Sequence, residues 1–272
     1  MSESVTNKAG MITPEHRSKL YWGIQDSLTM IWRTLRPVLR NTESLLIGFF
    51  LPVNILLLFV YVFGGAIDTG ATTYINYVVP GIIILAAGYG AAKTAENVSL
   101  DMQVGLIDRF RSLPILSVAV LTGHVITSVV RNLLSTILVI AVALLIGFRP
   151  TADPLAWLGT LGILSLYILS ISWLGVVVGL AAKSLDGASA FSFFILFTPY
   201  ISSAFVPTET MPKALHWIAE NQPYTHVIEV IRALTTGGPV GNHGWLAIAW
   251  TGGIMAASYA VAVYLFKRKA TR

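Results

Sequence analysis

Apolar residues fall in six long runs, at about residues 45–66, 74–92, 123–146, 155–182, 188–206 and 245–266, separated by short polar stretches. Each is near the roughly 20 residues that a helix needs to cross a hydrocarbon core of about 30 Å. The runs are continuous, whereas a transmembrane barrel shows alternating segments of about ten residues. The pattern therefore predicts an all-α polytopic membrane protein with six transmembrane helices, residues 43–272 forming the membrane domain. Pro52 inside the first span is tolerable because neighbouring helices compensate for a lost backbone bond. The fourth span is rich in Gly, Ser and Ala, which let helices approach closely.

The stretches between the spans have patterns of their own. Residues 1–17 are small and polar and predict a disordered tail. Residues 18–42 predict an amphipathic helix in the membrane interface: Leu20, Ile24, Leu28, Ile31, Leu35 and Leu39 form a stripe opposite Asp26, Thr29, Arg33, Arg36 and Arg40. Trp22 and Trp32 suit the headgroup layer, and the arginines suit anionic lipid. From Thr94 to Pro114, Asp101, Gly105, Asp108 and Ser112 recur on one helical face, and Met102, Leu106, Phe110 and Leu113 on another. This predicts either a charged helix lying on the membrane surface and ended by Pro114 or an ordinary solvated connector. Pro207 to Gly244 is too polar to span and too apolar for a free loop. It carries two short helical patterns, Met211–Glu220 and Tyr224–Leu234, broken at Asn221-Gln222-Pro223, as expected of a broken helical pair at the membrane boundary.

Composition supports the membrane reading: of 272 residues 55% are hydrophobic and 11% charged, against roughly 25% charged in soluble domains. The formal charge of +5 is explained by topology and not by nucleic acid. Six Lys or Arg precede the first span, three (Lys93, Arg109, Arg111) follow the second, Lys183 follows the fourth and four follow the last. Only Arg149, Lys213 and Arg232 lie on the other side, so both termini and the charged helix are expected in the cytoplasm and the broken pair outside. The absence of cysteine excludes disulfides, thiol catalysis and cysteine-ligated metal.

Catalytic motifs are sparse. Gly179–Ser184, GLAAKS, ends in Lys-Ser but lacks a phosphate-cradling loop, so the chain is not expected to bind ATP itself. Gly187-Ala188-Ser189-Ala190 loosely resembles an intramembrane serine nucleophile, with His124 the histidine nearest any span; small-residue packing is the expected role. His16, His216, His226 and His243 have no metal-ligand spacing, so no metal site is expected. Arg131 is the one clear charge within a span, roughly 12 Å past Gly123 along the helix. Its side chain can snorkel or reach Glu96, Asp101 or Asp108, and a structural role is expected. Glu229 and Arg232, three apart, can pair, either on the surface or in closing an external exit.

In order and spacing these features resemble the permease subunits of ABC-2-type exporters, in particular the daunorubicin/doxorubicin-resistance permeases. The resemblance starts near Ser18 and is carried by LPVNILLLFVYVFGGAI (Leu51–Ile67), YVVPGIII (Tyr77–Ile84), DMQVGLIDRFRSLPI (Asp101–Ile115), TGHVITSVVRNLL (Thr122–Leu134), LLIGFRP (Leu144–Pro150) and FVPTETMPKALHWIAENQPYTHVIEVIRAL (Phe205–Leu234). It implies the type V exporter fold in a bacterial cytoplasmic membrane. Two permeases, alike or different, would pair above two separate ATPase subunits that hold ATP and Mg, moving a small amphipathic drug or lipid. It also implies a coupling helix at about 96–111, with Glu96, Asp101, Gly105, Asp108, Arg109 and Arg111 at the ATPase interface. Re-entrant helices at 211–234 would gate the exit through Met211, Pro212, Asn221, Pro223, Glu229 and Arg232. His124 departs from the pattern, since related sequences often carry another basic residue there. Export of a glycan or lipid-linked polymer uses the same architecture. An ion-coupled secondary transporter would instead place acidic groups within the spans.

Overall fold

All regular structure among the described residues is helical. The computed structural model describes residues 19–70, 72–105 and 117–269. In chain order the helices are α1 (Lys19–Arg40), α2 (Thr42–Leu58, continued by a π-turn at Phe59–Phe63), α3 (Tyr74–Gln103), α4 (Ser117–Leu145), α5 (Pro154–Ala181), α6 (Leu185–Phe197), α7 (Lys213–Asn221), α8 (Pro223–Thr236) and α9 (His243–Lys269). α3, α4, α5 and α9 are long and apolar enough to cross a membrane, while the apolar helices Gly48–Phe63 and Leu185–Ile201 are shorter. The latter ends in a 3-10 turn at Thr198–Ile201, with Pro199 in its first positions.

α3 is the axis of the bundle. It packs against α2, α4, α5, α6 and α8, and 83% of its most apolar window is buried, against 22% for α9. Small residues make this enclosure possible. A Cβ on Gly175 of α5 would lie 2.5 Å from the Ala91 carbonyl oxygen, and one on Gly179 would lie 2.6 Å from that of Ala95. The two helices thus meet backbone to backbone, the arrangement that gives van der Waals gain where lipid offers no hydrophobic drive. At the other end of α3, a Cβ on Gly81 would lie 2.7 Å from the Ala204 Cα.

Two sequence expectations need correction. The second span does not stop near Ala92 to give way to a separate surface helix at Thr94; α3 runs unbroken to Gln103. No glycine or proline interrupts Ala92–Gln103, and Lys93 pairs with Glu96 one turn on, at 2.9 Å. The break comes at Gly105, which has the left-handed φ of 65° that glycine adopts without steric cost. Residues 106–116, with Asp108, Arg109, Arg111 and Pro114, lie outside the described residues.

The second correction concerns α1. Its arginines are not all turned to the lipid headgroups, because the helix packs on α4 through its more polar side. Met30 is 5% exposed, whereas Leu28 and Trp32 are 61% and 60% exposed. Thr34 Oγ1 donates to the Gly123 carbonyl at 3.0 Å and lies 2.6 Å from Thr127 Oγ1. Gly123 allows this approach, since a Cβ there would sit 3.0 Å from the Met30 oxygen. Arg33 turns inward with Thr34, while Arg36 and Arg40 stay exposed.

The α3–α5 contact yields a test. Gly179→Leu should force the helices apart and lower stability by about 3 kcal/mol, read as a fall of several degrees in the unfolding temperature of the purified protein. Leu155→Ala, at an exposed position, should leave it unchanged.

Candidate functional site

One end of the bundle is closed by irregular backbone. Ser202, Ser203, Ala204 and Phe205 are buried although they belong to no helix. At membrane depth such backbone persists only where protein supplies its hydrogen bonds. Here side chains from three other elements do so. Gln222 donates to the Ile201 carbonyl, Tyr74 Oη to the Phe205 carbonyl at 3.0 Å, and Arg232 Nη2 to the Ser203 carbonyl at 2.6 Å. Ser202 Oγ accepts from the Ala204 amide at 3.2 Å. Phe205 stacks between Phe59, with ring centroids 4.2 Å apart, and Tyr200, at 4.8 Å.

Arg232 is the knot of this lid. Nε and Nη2 donate to the Tyr77 carbonyl at 3.2 and 3.1 Å, Nη1 binds Glu229, and the guanidinium lies 3.8 Å from the Tyr77 ring centre. One side chain on α8 thereby joins α3, the buried loop and its own helix, with a cation–π contact added. The fold also explains why α7 and α8 are separate helices. Pro212 precedes the first residue of α7 and Pro223 opens α8, the position where proline's missing amide costs nothing. Gly237, with a φ of 78°, ends α8. The Thr151 amide then ties that end to the Thr235 carbonyl at 2.9 Å.

Below the lid, His226 Nδ1 of α8 faces His243 Nδ1 of α9 at 3.0 Å. Burial and the neighbouring His243 push the His226 imidazole below its ordinary value, while Glu229 acts weakly the other way. Among the described residues no group of three His, Cys, Asp or Glu could hold a metal ion. Tyr224, on the same helix, is pushed up to about 12 by burial and meets Tyr167 edge-on at 6.0 Å.

The opposite end carries a second cluster of charges. Asp101, on the last turn of α3, receives Arg33 Nη2 of α1 at 3.3 Å and His124 Nε2 of α4 at 3.2 Å. Glu96 accepts from Lys93 and, at 3.5 Å, from Ser189 of α6. Ser189 thus faces a carboxylate and His124 an aspartate, so the pair forms no serine–histidine couple. Deeper in the bundle, Arg131 Nη2 donates to the Gly90 carbonyl at 2.9 Å. Among the described residues Arg131 makes no ion pair within 4.0 Å, so the carboxylate expected from sequence is replaced by a backbone oxygen. Insertion scales put an arginine at the membrane centre at about 2.5–3.5 kcal/mol. Asn132 crowds the same glycine: a Cβ on Gly90 would lie 1.9 Å from its Oδ1. Asn132 Nδ2 donates to Ser128 Oγ at 3.2 Å, and Ser172 Oγ donates to the same oxygen at 2.8 Å.

The residues expected at the two sites therefore separate. Glu229 and Arg232 pair in the lid, Pro223 opens the helix that carries them, and Asn221 bonds its own helix through the Trp217 carbonyl. Met211 and Pro212 form the lead-in to α7. Glu96 and Asp101 hold internal partners, Gly105 is the hinge after α3, and Asp108, Arg109 and Arg111 are outside the described residues. Sequence reasoning missed Tyr74, Tyr77, Ser203 and Gln222 in the lid, and Arg33 in the charged cluster. The i,i+3 tyrosines at the start of α3 were the available signal, but they also suit an interfacial aromatic belt.

A multi-pass helical bundle closed at one end by a side-chain-tied broken segment is the architecture of a polytopic membrane protein. The chain belongs to the ABC-2 type transporter family, whose model matches residues 25–235, and is the membrane subunit of an ABC exporter. It is 27% identical over 247 residues to the daunorubicin resistance ABC transporter permease protein DrrB1 of Streptomyces coeruleorubidus, covering 90% of this chain and 87% of that one. It is 26% identical to "Putative transport permease ycf38" of Pyropia yezoensis, over 78% of this chain and 74% of that one. The protein of the same name from Porphyra purpurea is also 26% identical, over 77% and 73%.

Arg232→Ala should unhook the buried loop from α3 and α8, lowering stability by about 3 kcal/mol and opening the segment after Ile201 to protease. Arg232→Lys, lacking the planar fork, should recover only part of the loss.

The His226 pair sets a pH dependence. The folded state depresses the His226 pKa, so its contribution is complete above the ordinary value of about 6.5 and is lost as pH falls through it toward the depressed value. The unfolding temperature should therefore fall between about pH 7 and pH 5, and His226→Gln should flatten that dependence.

Proposed function

We propose that this permease moves an amphipathic or hydrophobic drug or lipid out of a bacterial cytoplasmic membrane, as one of two permease subunits driven by two separate ATPase subunits. The observation that carries this reading is the similarity to a daunorubicin resistance permease along nearly the full length of both chains. In this orientation the termini and the charged end face the cytoplasm and the lid faces out. ATP and Mg are held by the partner ATPases, and the membrane chain supplies path and gate.

α3 provides the means of transmission. At about 1.5 Å per residue, its 30 residues span about 45 Å, from the charged end to the lid. Its last turn leads through Gly105 into the segment carrying Asp108, Arg109 and Arg111, which we assign to the ATPase contact. Its first turn gives Tyr77 to Arg232 and Tyr74 to the buried loop. Displacement of this helix by an ATPase stroke moves both lid anchors together, switching a packed element between two arrangements.

The test is co-purification with the cognate ATPase, followed by ATP-dependent uptake of daunorubicin into inverted vesicles. Uptake that persists without an ATPase sinks the reading. Charge reversal at Asp108 or Arg109 should lower transport per ATP hydrolysed about tenfold, the equivalent of one lost interfacial charge pair, with membrane insertion intact. Unchanged coupling in both variants removes them from the contact.

A further inference from the structure

A cavity of about 280 Å³ lies between α1, α3 and α4 at the charged end. Its floor is buried and polar, formed by Thr94, His124, Thr127 and Ser128, and its rim is exposed at Pro37, Asn41 and Leu100. Arg33, Lys93 and Arg131 line it as fixed cations, with Asp101 as the one acid in the lining.

The charges do not cancel. Asp101 answers Arg33, and Glu96, just outside the lining, answers Lys93. Arg131 donates to a backbone oxygen and, among the described residues, makes no ion pair within 4.0 Å, with Glu96 attracting it from farther off. Counted with Glu96, the three cations exceed the two acids by one positive charge. The Asn97 amide and the Thr127 hydroxyl add polar groups beside this charge.

We propose that this cavity binds a phosphate oxyanion, presented by the headgroup of an acidic membrane lipid or by free inorganic phosphate. Guanidinium groups suit phosphate oxygens in geometry and charge, and at the buried floor the attraction is screened less than at the exposed rim. The buried polar floor disfavours an apolar occupant and suits a charged headgroup or anion. The position also suits a lipid: α1, which forms one wall, turns Leu28 and Trp32 outward as an interfacial helix does. The exposed Leu100 at the rim offers apolar surface beside the opening. This inference stands apart from the export reading, since it concerns an equilibrium site that needs neither ATP nor a partner.

The test uses the purified, delipidated permease in neutral detergent. Thermal unfolding is followed while short-chain phosphatidylglycerol, short-chain phosphatidylcholine or inorganic phosphate is titrated in. Saturable stabilisation by phosphatidylglycerol but by neither of the others assigns the site to an acidic headgroup. An equal response to inorganic phosphate assigns it to the free anion. Arg131→Gln should weaken the effective ligand about tenfold, the loss of one charge-assisted hydrogen bond. Asn97→Asp, which adds a negative charge while keeping the side chain's size, should abolish the response and covers the case in which Arg131→Gln does not fold. No saturable response to either anion, or a folded Asn97→Asp protein that binds as the wild type does, overturns the proposal.

Discussion

A backbone group inside hydrocarbon must find its hydrogen bond within the protein, and this constraint governs the whole lid. Ser202–Phe205 leave helical geometry while buried, and each carbonyl named above is met by a side chain reaching from elsewhere: Tyr74, Gln222 or Arg232. Those donors hold position only because α3 is fixed. α3 is fixed in turn because Gly175 and Gly179 let α5 approach its backbone. The small residues of α5 and the arginine of α8 are therefore parts of one structural solution. Close helix packing supplies the rigid wall on which an irregular segment can be satisfied.

That dependence also bears on the transmission role proposed for α3. A buried helix in contact on all sides cannot bend locally without opening voids, so it tends to shift as a unit between packed states. Its two ends meet different chemistry. At the lid it offers a carbonyl and an aromatic face to Arg232; at the charged end it offers Asp101 to α1 and α4. A shift of α3 along its axis changes both sets of contacts together, and no separate relay through the apolar middle is required.

Four of the six predicted spans were legible by length, while the apolar runs at Gly48–Phe63 and Leu185–Ile201 form shorter helices; the lid pair was legible by Pro212 and Pro223. A helix stands at Lys19–Arg40 where the amphipathic pattern over 18–42 predicts one, and two short helices stand at Lys213–Asn221 and Pro223–Thr236 where the broken pattern predicts them. What periodicity could not give was which face of α1 looks inward. In water an apolar stripe must face the core; beside lipid, hydrocarbon satisfies it equally, leaving Met30, Arg33 and Thr34 to the protein. The continuation of α3 past Ala92 was hidden for a related reason: a fall in hydropathy marks where a span leaves the membrane, not where its helix ends. Pairings such as Tyr77 with Arg232, 155 positions apart, carry no local signature.

The two inward arginines show how satisfaction separates a structural charge from one with capacity to spare. A guanidinium has five N–H donors. Arg232 uses Nε, Nη1 and Nη2 on carbonyls and a carboxylate and lays its plane against Tyr77. Its positive charge is answered by Glu229, and replacing either partner would leave the other exposed to a poorly polar surrounding. Arg131 gives one described hydrogen bond, to Gly90, on a cavity whose acid is already bonded to Arg33 and His124. Burying both residues is costly on the same grounds, and among the described residues only the first has an acid at contact distance. Glu96 attracts Arg131 from farther off, and the anion proposed for the cavity would give that guanidinium a partner of its own.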